Sequence, residues 1–423
     1  MILTSGLTGV LSSLYDLIMI NIRSAVIVAP DEKGRLPVFG IPAVRRLVLL
    51  ALQMGFERIH IVGQVNPLRP VLSDLLSPEA FHQVGDPELL DQVVNKLALS
   101  KTESVLALKA NHVVDQFSLR QLKDTITGSD LYFIGTKGTE DTDNIYVASP
   151  AHLVSLLRAL WSSDASNLKI LEPAHHVQGA SGLPYAIDNG GAQTEISEAK
   201  LVAALAFQTR ERDGFLARHL DRRVSCFISK RLAHTRVRPN QITLFGTTIG
   251  LAGAFFLSRP GYWPQLIGSL LFLFFAVVDG VDGEVSRLRL QNSQFGYYLD
   301  MITDNIVNVS IFAGIAFGLY HNTADRIYLN LLLLLIGGFG LCAISVYYNI
   351  SRRSQDELKR SPKITRFMAL LTNSDFAYLV VACALFRRLN WFLIATTVGT
   401  YLFAGILWAM NLHAKRRLRI RLQ

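Results

Sequence analysis

From Ile242 to Leu412 the chain is a series of apolar runs separated by short polar stretches. An apolar run of about 20 residues has one common solution in lipid, an α-helix whose backbone groups satisfy one another. Six such spans are expected, at about 242–258, 262–281, 294–320, 327–350, 374–388 and 390–412. The fifth is short and ends at Arg387 and Arg388. Up to about Thr243 the sequence is an ordinary globular mixture, so a soluble domain preceding a membrane domain is the simplest organisation.

The net charge of +9 raises nucleic acid as a partner, but its placement argues against one. The basic residues crowd beside the apolar runs, as in "LARHLDRRVSCFISKRLAHTRVRPN" and "AKRRLRIRLQ". That is the pattern of a cytoplasmic membrane edge facing anionic lipid. The stretches 287–289, 351–367 and 413–423 hold thirteen Lys and Arg, whereas the opposite loops hold four: Arg259, Arg326, Arg387 and Arg388. A multi-pass protein of the cell membrane with both termini in the cytoplasm is expected. Cys226, Cys342 and Cys383 lie too far apart for a metal or redox motif. The opening "MILTSGLTGVLSSLYDLIMI" has no basic residue before Arg23 and no small-residue cleavage site, so it reads as mature chain.

In the first half, strand-like segments at 24–30, 58–63, 104–110 and 130–136 alternate with helical patterns such as "AVRRLVLLALQMG" and "PELLDQVVNKLAL". This alternation predicts an α/β domain with a parallel sheet over 1–200. The Gly-rich "HHVQGASGLPYAIDNGGAQT" reads as a loop, with His175 and His176 an exposed pair lacking a third ligand. Residues 201–240 form a linker and a basic juxtamembrane helix. On it Phe215, Leu216, Leu220, Val224, Phe227, Ile228 and Leu232 make an apolar stripe suited to the membrane surface. Residues 241–412 are the membrane domain and 413–423 a basic tail.

Within the spans stand Asp279, Asp282, Asp300 and Asp304, each an expensive group in lipid. Asp279 and Asp282 share one helix face, as do Asp300 and Asp304 on the next helix. The short polar connection "RLRLQNSQ" makes these helices antiparallel neighbours, so the two carboxylate pairs can meet. Four anions at close range need protons or cations, and hard divalent ions with oxygen ligands fit best. Gly280, Gly283, Ser286 and Gly296 open space on the same faces, and Arg287 offers a planar fork for phosphate oxygens. This is a phosphoryl-transfer site in outline; a polar structural knot and an ion-coupled transporter are the alternatives.

The segment "DGVDGEVSRLRLQNSQFGYYLDMITD" resembles the signature of the CDP-alcohol phosphotransferases, with Ser286 standing where that family has Ala. "VRPNQITLFG" is similar to the element that opens the family's first membrane helix. The resemblance covers roughly residues 213–412 and implies a six-helix membrane fold. It implies transfer of a substituted phosphate group from a CDP-alcohol, CDP-diacylglycerol among the candidates, to an acceptor hydroxyl, with release of CMP. Asp279, Asp282 and Asp300 become ligands of Mg2+ or Mn2+ in a two-metal site, with Asp304 as general base that also touches metal. Gly283, Ser286, Arg287 and Gly296, with Asn240 and Thr243, are then placed along the CDP moiety. A homodimer is also implied.

The first domain is similar in layout to nucleotidyltransferase-like domains, as found in inositol-phosphate cytidylyltransferase/phosphotransferase fusions. It departs from them where the chemistry lies. The loop "APDEKGRLP" has only Gly34, "PVFGIP" lacks the expected lysine, and "LALKANHVVD" puts Lys109, Ala110 and Asn111 where a metal-binding aspartate is expected. Lys33 and Arg35 are candidates for an anion site or for a solvated loop. A catalytically silent domain is expected, the alternative being a bifunctional enzyme that makes its own CDP-alcohol.

Overall fold

The computed structural model describes residues 22–421, apart from 98, 100–103, 126–131, 136–144, 163–174, 179–184, 189, 210–219 and 352–375. Phe215, Leu216 and the basic stretch 352–367 lie outside the described residues. The chain divides into two compact units, whose described parts fall within Ser13–Gln208 with Leu288–Leu290, and within Thr209–Arg287 with Gln291–Gln423.

In the N-terminal unit the expected strands form as β1 (Ser24–Ala29), β2 (Arg58–Gly63), β4 (Val105–Lys109) and β5 (Tyr132–Gly135). With β3 (Phe81–Gln83), β6 (Ile145–Ala148) and β7 (His175–Gln178) they make a seven-stranded sheet in the order β7-β5-β6-β4-β1-β2-β3. Strand β1 is parallel to β2 and β4, β2 to β3, and β5 to β7. Strand β6 is antiparallel to both β4 and β5, so the sheet is mostly parallel, as expected, with one antiparallel strand. The reason is connection length: residues 136–144 between β5 and β6 are too few for a parallel crossover, which takes about a dozen or more. His175 and His176 also differ from expectation, since they lie on strand β7 and not in a loop.

The longer helices described in this unit are α1 (Ala43–Gln53), α2 (Leu90–Lys96), α3 (Gln116–Thr125), α4 (Pro150–Ser162) and α5 (Ala192–Thr209). All six residues of β1 are buried, as the run "SAVIVA" requires of a strand covered on both faces. Alternation sorts them. Ala25, Ile27 and Ala29 join the cluster with Val44, Leu47 and Val48 of α1. Val26 and Val28 join Leu90 and Val94 of α2 and Leu153, Leu156 and Leu160 of α4.

The second unit is helical: α6 (Arg222–Leu232), α7 (Pro239–Leu257), α8 (Tyr262–Leu288), α9 (Gln294–Thr323), α10 (Ile327–Ser351), α11 (Phe376–Leu385) and α12 (Leu389–Arg421). Five of these are long and apolar enough to cross a membrane. The expected fifth span appears as α11, whose described part has ten residues, so among the described residues the count is five long spans and one short apolar helix. Helix α8 continues seven residues past the expected limit at 281, so Asp279 and Asp282 lie inside it.

Helices α7 and α9 pack backbone to backbone through glycine. A Cβ at Gly314 would strike the Ala254 carbonyl, and one at Gly318 the Leu257 carbonyl. In lipid, where apolar side chains gain nothing by leaving the solvent, such close approach is a main source of helix association. The core beside it is aromatic: Phe312 stacks parallel to Phe392 with ring centroids 5.9 Å apart, and meets Phe376 and Phe339.

The apolar stripe of α6 is divided. Ile228 and Leu232 pack inward against Ile242, Val278, Val281 and Val285. Leu220, Val224 and Phe227 are about half exposed. The inward face also carries buried Asp221, Ser225 and Ser229.

The glycine packing gives a direct expectation. Gly314→Leu lowers the unfolding midpoint in detergent, by a destabilisation of about 1–3 kcal/mol. Gly340→Leu, at a position with open space around it, leaves the midpoint close to the parent's.

Candidate catalytic site at the aspartate helices

Two helix starts and one helix end build the site. Ser293 caps α9, its hydroxyl accepting from the Gly296 N–H at 3.0 Å, so Asp300 and Asp304 fall in the second and third turns. Pro239 occupies the first position of α7, where a missing N–H costs nothing. The Gln241 side chain accepts from the Arg238 N–H at 2.9 Å and closes that terminus. Asn240 and Thr243 thereby reach the aspartate helices. The end of α8 supplies Asp279, Asp282, Gly283, Ser286 and Arg287.

Asp279, Asp300 and Asp304 each offer a carboxylate oxygen, and these atoms lie within 4.8 Å of one another. Asp282 is turned differently. It is 5% exposed, its Oδ1 accepts from the Gly283 N–H at 2.5 Å, and its Oδ2 accepts from the Thr243 hydroxyl. The geometry thus gathers Asp304 with two of the three expected ligands, and Asp282, linked to Asp300, has Thr243 and the Gly283 N–H as further partners. Thr243, expected along a nucleotide, holds a carboxylate here.

The other expected residues surround this centre. The Arg287 guanidinium folds back over Gly283, where a Cβ would sit 3.6 Å from Nη2. Ser286 donates to Asn292 Oδ1 at 2.7 Å and so ties the end of α8 to the turn that follows. A Cβ at Gly296 would lie 3.0 Å from both Asn240 Oδ1 and Ser293 Oγ. The room at Gly296 therefore serves the approach of α7 to α9.

The family resemblance implies a divalent metal, and the residues fit one. The donor set is all carboxylate oxygen, the chemistry that Mg2+ and Mn2+ take. Asp300 Oδ1 is buried with no hydrogen-bond partner, an atom that a cation would satisfy.

One acidic residue in the same stretch was not singled out from the sequence. Glu284 is 1% exposed and accepts from Arg222 Nη1 at 2.7 Å, Ser225 Oγ at 2.8 Å and Ser229 Oγ at 2.6 Å. Its signal was present: a fifth carboxylate in the stretch 277–305, with an arginine and two serines spaced three and four apart on α6. Beside it, burial and then the Glu284 carboxylate push the Cys226 thiol up to about 12.

In the N-terminal unit, Lys33 and Arg35, candidates for an anion site or a solvated loop, pair with carboxylates of the same unit. Lys33 Nζ pairs with Asp188 at 2.9 Å and with Asp31 at 3.5 Å, and Arg35 with Glu32 at 3.6 Å. Asn111 Nδ2 donates to Asp188 at 3.3 Å. Lys109 is buried.

Fold and centre together define a class: helical membrane proteins with an acidic centre between antiparallel helices. Comparison with known families shows what this part of the chain is similar to. Residues 236–403 match the CDP-alcohol phosphatidyltransferase family. That interval contains all ten site residues expected from the sequence. The chain is 36% identical over 107 residues to the "Bifunctional IPC transferase and DIPP synthase" of Thermococcus kodakarensis. This match covers 25% of this chain and 23% of that relative's length. Two solved structures also align in part. One is Mycobacterium tuberculosis phosphatidylinositol phosphate synthase with CDP-DAG bound, at 20% identity and TM-score 0.30, covering 45% of this chain and 92% of that one. The other is the inositol-1-phosphate CTP transferase from T. maritima, at 12% identity and TM-score 0.31, covering 43% and 96%.

The thiol gives a pH expectation. A pKa raised from about 9 to about 12 leaves roughly a thousand-fold less thiolate near neutrality than an ordinary cysteine has. In a C342S/C383S background, maleimide labelling of Cys226 at pH 8 is slower by about that factor, and its rate climbs until the pH passes about 12. Rapid labelling at pH 8 contradicts the buried, acid-flanked placement.

Proposed function

We propose that the protein is an integral membrane CDP-alcohol phosphotransferase, moving a substituted phosphate group from a CDP-alcohol to an acceptor hydroxyl with release of CMP. The observation that carries this reading is the convergence of Asp279, Asp300 and Asp304 within 4.8 Å, in a domain matching that family. CDP-diacylglycerol is a donor whose acyl chains can enter sideways from the bilayer. The acceptor is an alcohol or a phospho-alcohol. The protein sits in the cell membrane as a homodimer, with both termini and the aspartate centre toward the cytoplasm, where the nucleotide is.

Asp279, Asp300 and Asp304, with Asp282 beside them, are the residues that would hold Mg2+ or Mn2+, in a one- or two-metal site. Such a cation, when bound, neutralises pyrophosphate charge and stabilises the departing phosphate. The protein's own groups do the rest. Asp304 accepts the proton of the acceptor hydroxyl. The freed oxygen bonds to the phosphorus nearer the donor alcohol, the bond from that phosphorus to the CMP oxygen breaks, and CMP departs. Arg287 lies where its guanidinium can pair with phosphate oxygens. Thr243 and the Gly283 N–H keep Asp282 oriented.

A second reading comes from the relative that carries two activities: the N-terminal unit would make the CDP-alcohol from CTP. The chemistry of its loop favours a silent domain. Lys33 is drawn to Asp188, and Asn111 and Lys109 stand at the end of β4, so the local charge opposes a divalent cation. On either reading the membrane domain performs the transfer.

Purified protein in lipid is incubated with a panel of CDP-alcohols and acceptors, and CMP release is measured. At least one pair releases CMP, EDTA abolishes the release, and Mg2+ or Mn2+ restores it. Asp304→Asn lowers the rate by about 100-fold or more. If no pair releases CMP and the variant behaves as the parent does, the reading fails. In the Asp304→Asn background, CTP with inositol 1-phosphate yields no pyrophosphate; steady pyrophosphate formation would establish the bifunctional reading instead.

A further inference from the structure

Helix α6 turns a polar face toward the aspartate helix. Arg222, Ser225 and Ser229 follow at spacings of three and four, which places them on one side. Ser225 and Ser229 are 2% and 1% exposed, so these hydroxyls have no water to bond with. All three side chains converge on one acidic group of α8. Glu284 Oε1 accepts from Arg222 at 2.7 Å and Ser225 at 2.8 Å, and Oε2 accepts from Ser229 at 2.6 Å. Both carboxylate oxygens are engaged, and the guanidinium balances the charge. A carboxylate held this way is not available as another ligand for a cation.

Its place along the helix is what matters. Glu284 stands one turn beyond Gly280, whose added Cβ would lie 3.8 Å from Arg222 Nη1 and 3.9 Å from Ser225 Cβ. The Ser229 hydroxyl is 3.5 Å from the Val281 carbonyl. Helix α6 therefore contacts α8 at Gly280, Val281 and Glu284, in the turns that present Asp279 and Asp282. A second tie leaves the start of α6 for a different helix, where the Tyr378 hydroxyl of α11 donates to Asp221. Rotating or sliding α8 would strip a buried carboxylate of its donors, a change resisted strongly at that depth.

We propose that Glu284 is a positioning residue: its donors on α6 fix the rotation and axial register of α8 and so hold Asp279 and Asp282 in place for a divalent cation. The inference rests on the metal-dependent reading above and adds a residue to it. Glu284 acts through the aspartates.

The test uses the full chain in lipid nanodiscs and reads Mn2+ binding directly, by the electron paramagnetic resonance of free Mn2+, alongside CMP release and the unfolding midpoint. E284Q weakens Mn2+ binding by about ten-fold, and S229A weakens it by a smaller factor. In both, raising Mn2+ recovers most of the CMP release. Y378F, which cuts the tie to α11 alone, binds Mn2+ as the parent does. Unchanged Mn2+ binding in E284Q and S229A overturns the proposal. An equal weakening in Y378F also overturns it, since general loosening of α6 would then suffice. If E284Q does not fold, S229A decides, because it removes one neutral hydroxyl. If the parent binds Mn2+ and the variants shift as expected, yet no CDP-alcohol yields CMP, the phosphotransfer reading falls and the positioning role stands.

Discussion

Like charges brought together at the end of apolar helices are the constraint that the membrane unit is built around. Two carboxylates 4 Å apart repel by about 4 kcal/mol even at an effective dielectric of 20. Helix packing has to hold them in place against that force. The glycine contacts of α7 with α9 supply part of the hold, because they set two backbones at a fixed distance with no side chain to give way. Partners for the one carboxylate outside the trio supply another part, in Thr243 and the Gly283 N–H. The grip of α6 on α8 through Glu284 supplies a third.

The same stretch of α8 shows two fates for buried acid. Asp279 joins Asp300 and Asp304, with anionic neighbours and an unpaired Asp300 oxygen. Glu284, five residues on, faces a guanidinium and two hydroxyls. One set is left short of positive charge and the other is complete. A cation is drawn to the first and has nothing to gain at the second. In the N-terminal unit, Lys33 and Asp188 pair with each other at 2.9 Å.

Much of this was legible in the sequence, for reasons that differ by residue. The aspartates stood out because spacings of three and four within an apolar helix have few bland explanations, and the structure brings three of them together. Strands β1, β2, β4 and β5 were legible from their apolar runs. Strand β6 was not, because "IYVA" is short and its direction depends on a connection length that only a pairing reveals. Glu284 was passed over because nothing local names its partners: Arg222 lies 62 residues away. Asn240 and Gly296 were both expected beside a ligand, whereas their contact is with each other.

By itself the sequence determined that the second half is helical and membrane-spanning, since lipid leaves an apolar run of that length no other economical fold. It also determined that four aspartates share helix faces, since the 3.6-residue period follows from covalent geometry alone. Only the tertiary structure decided which carboxylates meet and which are satisfied separately. That depends on the rotation of α8 against α6, α7 and α9, and rotation is set by contacts between residues far apart in the chain. Asp282 bonded to Thr243, Glu284 bonded to Arg222, and Asp279 beside Asp304 are all outcomes of that one angle.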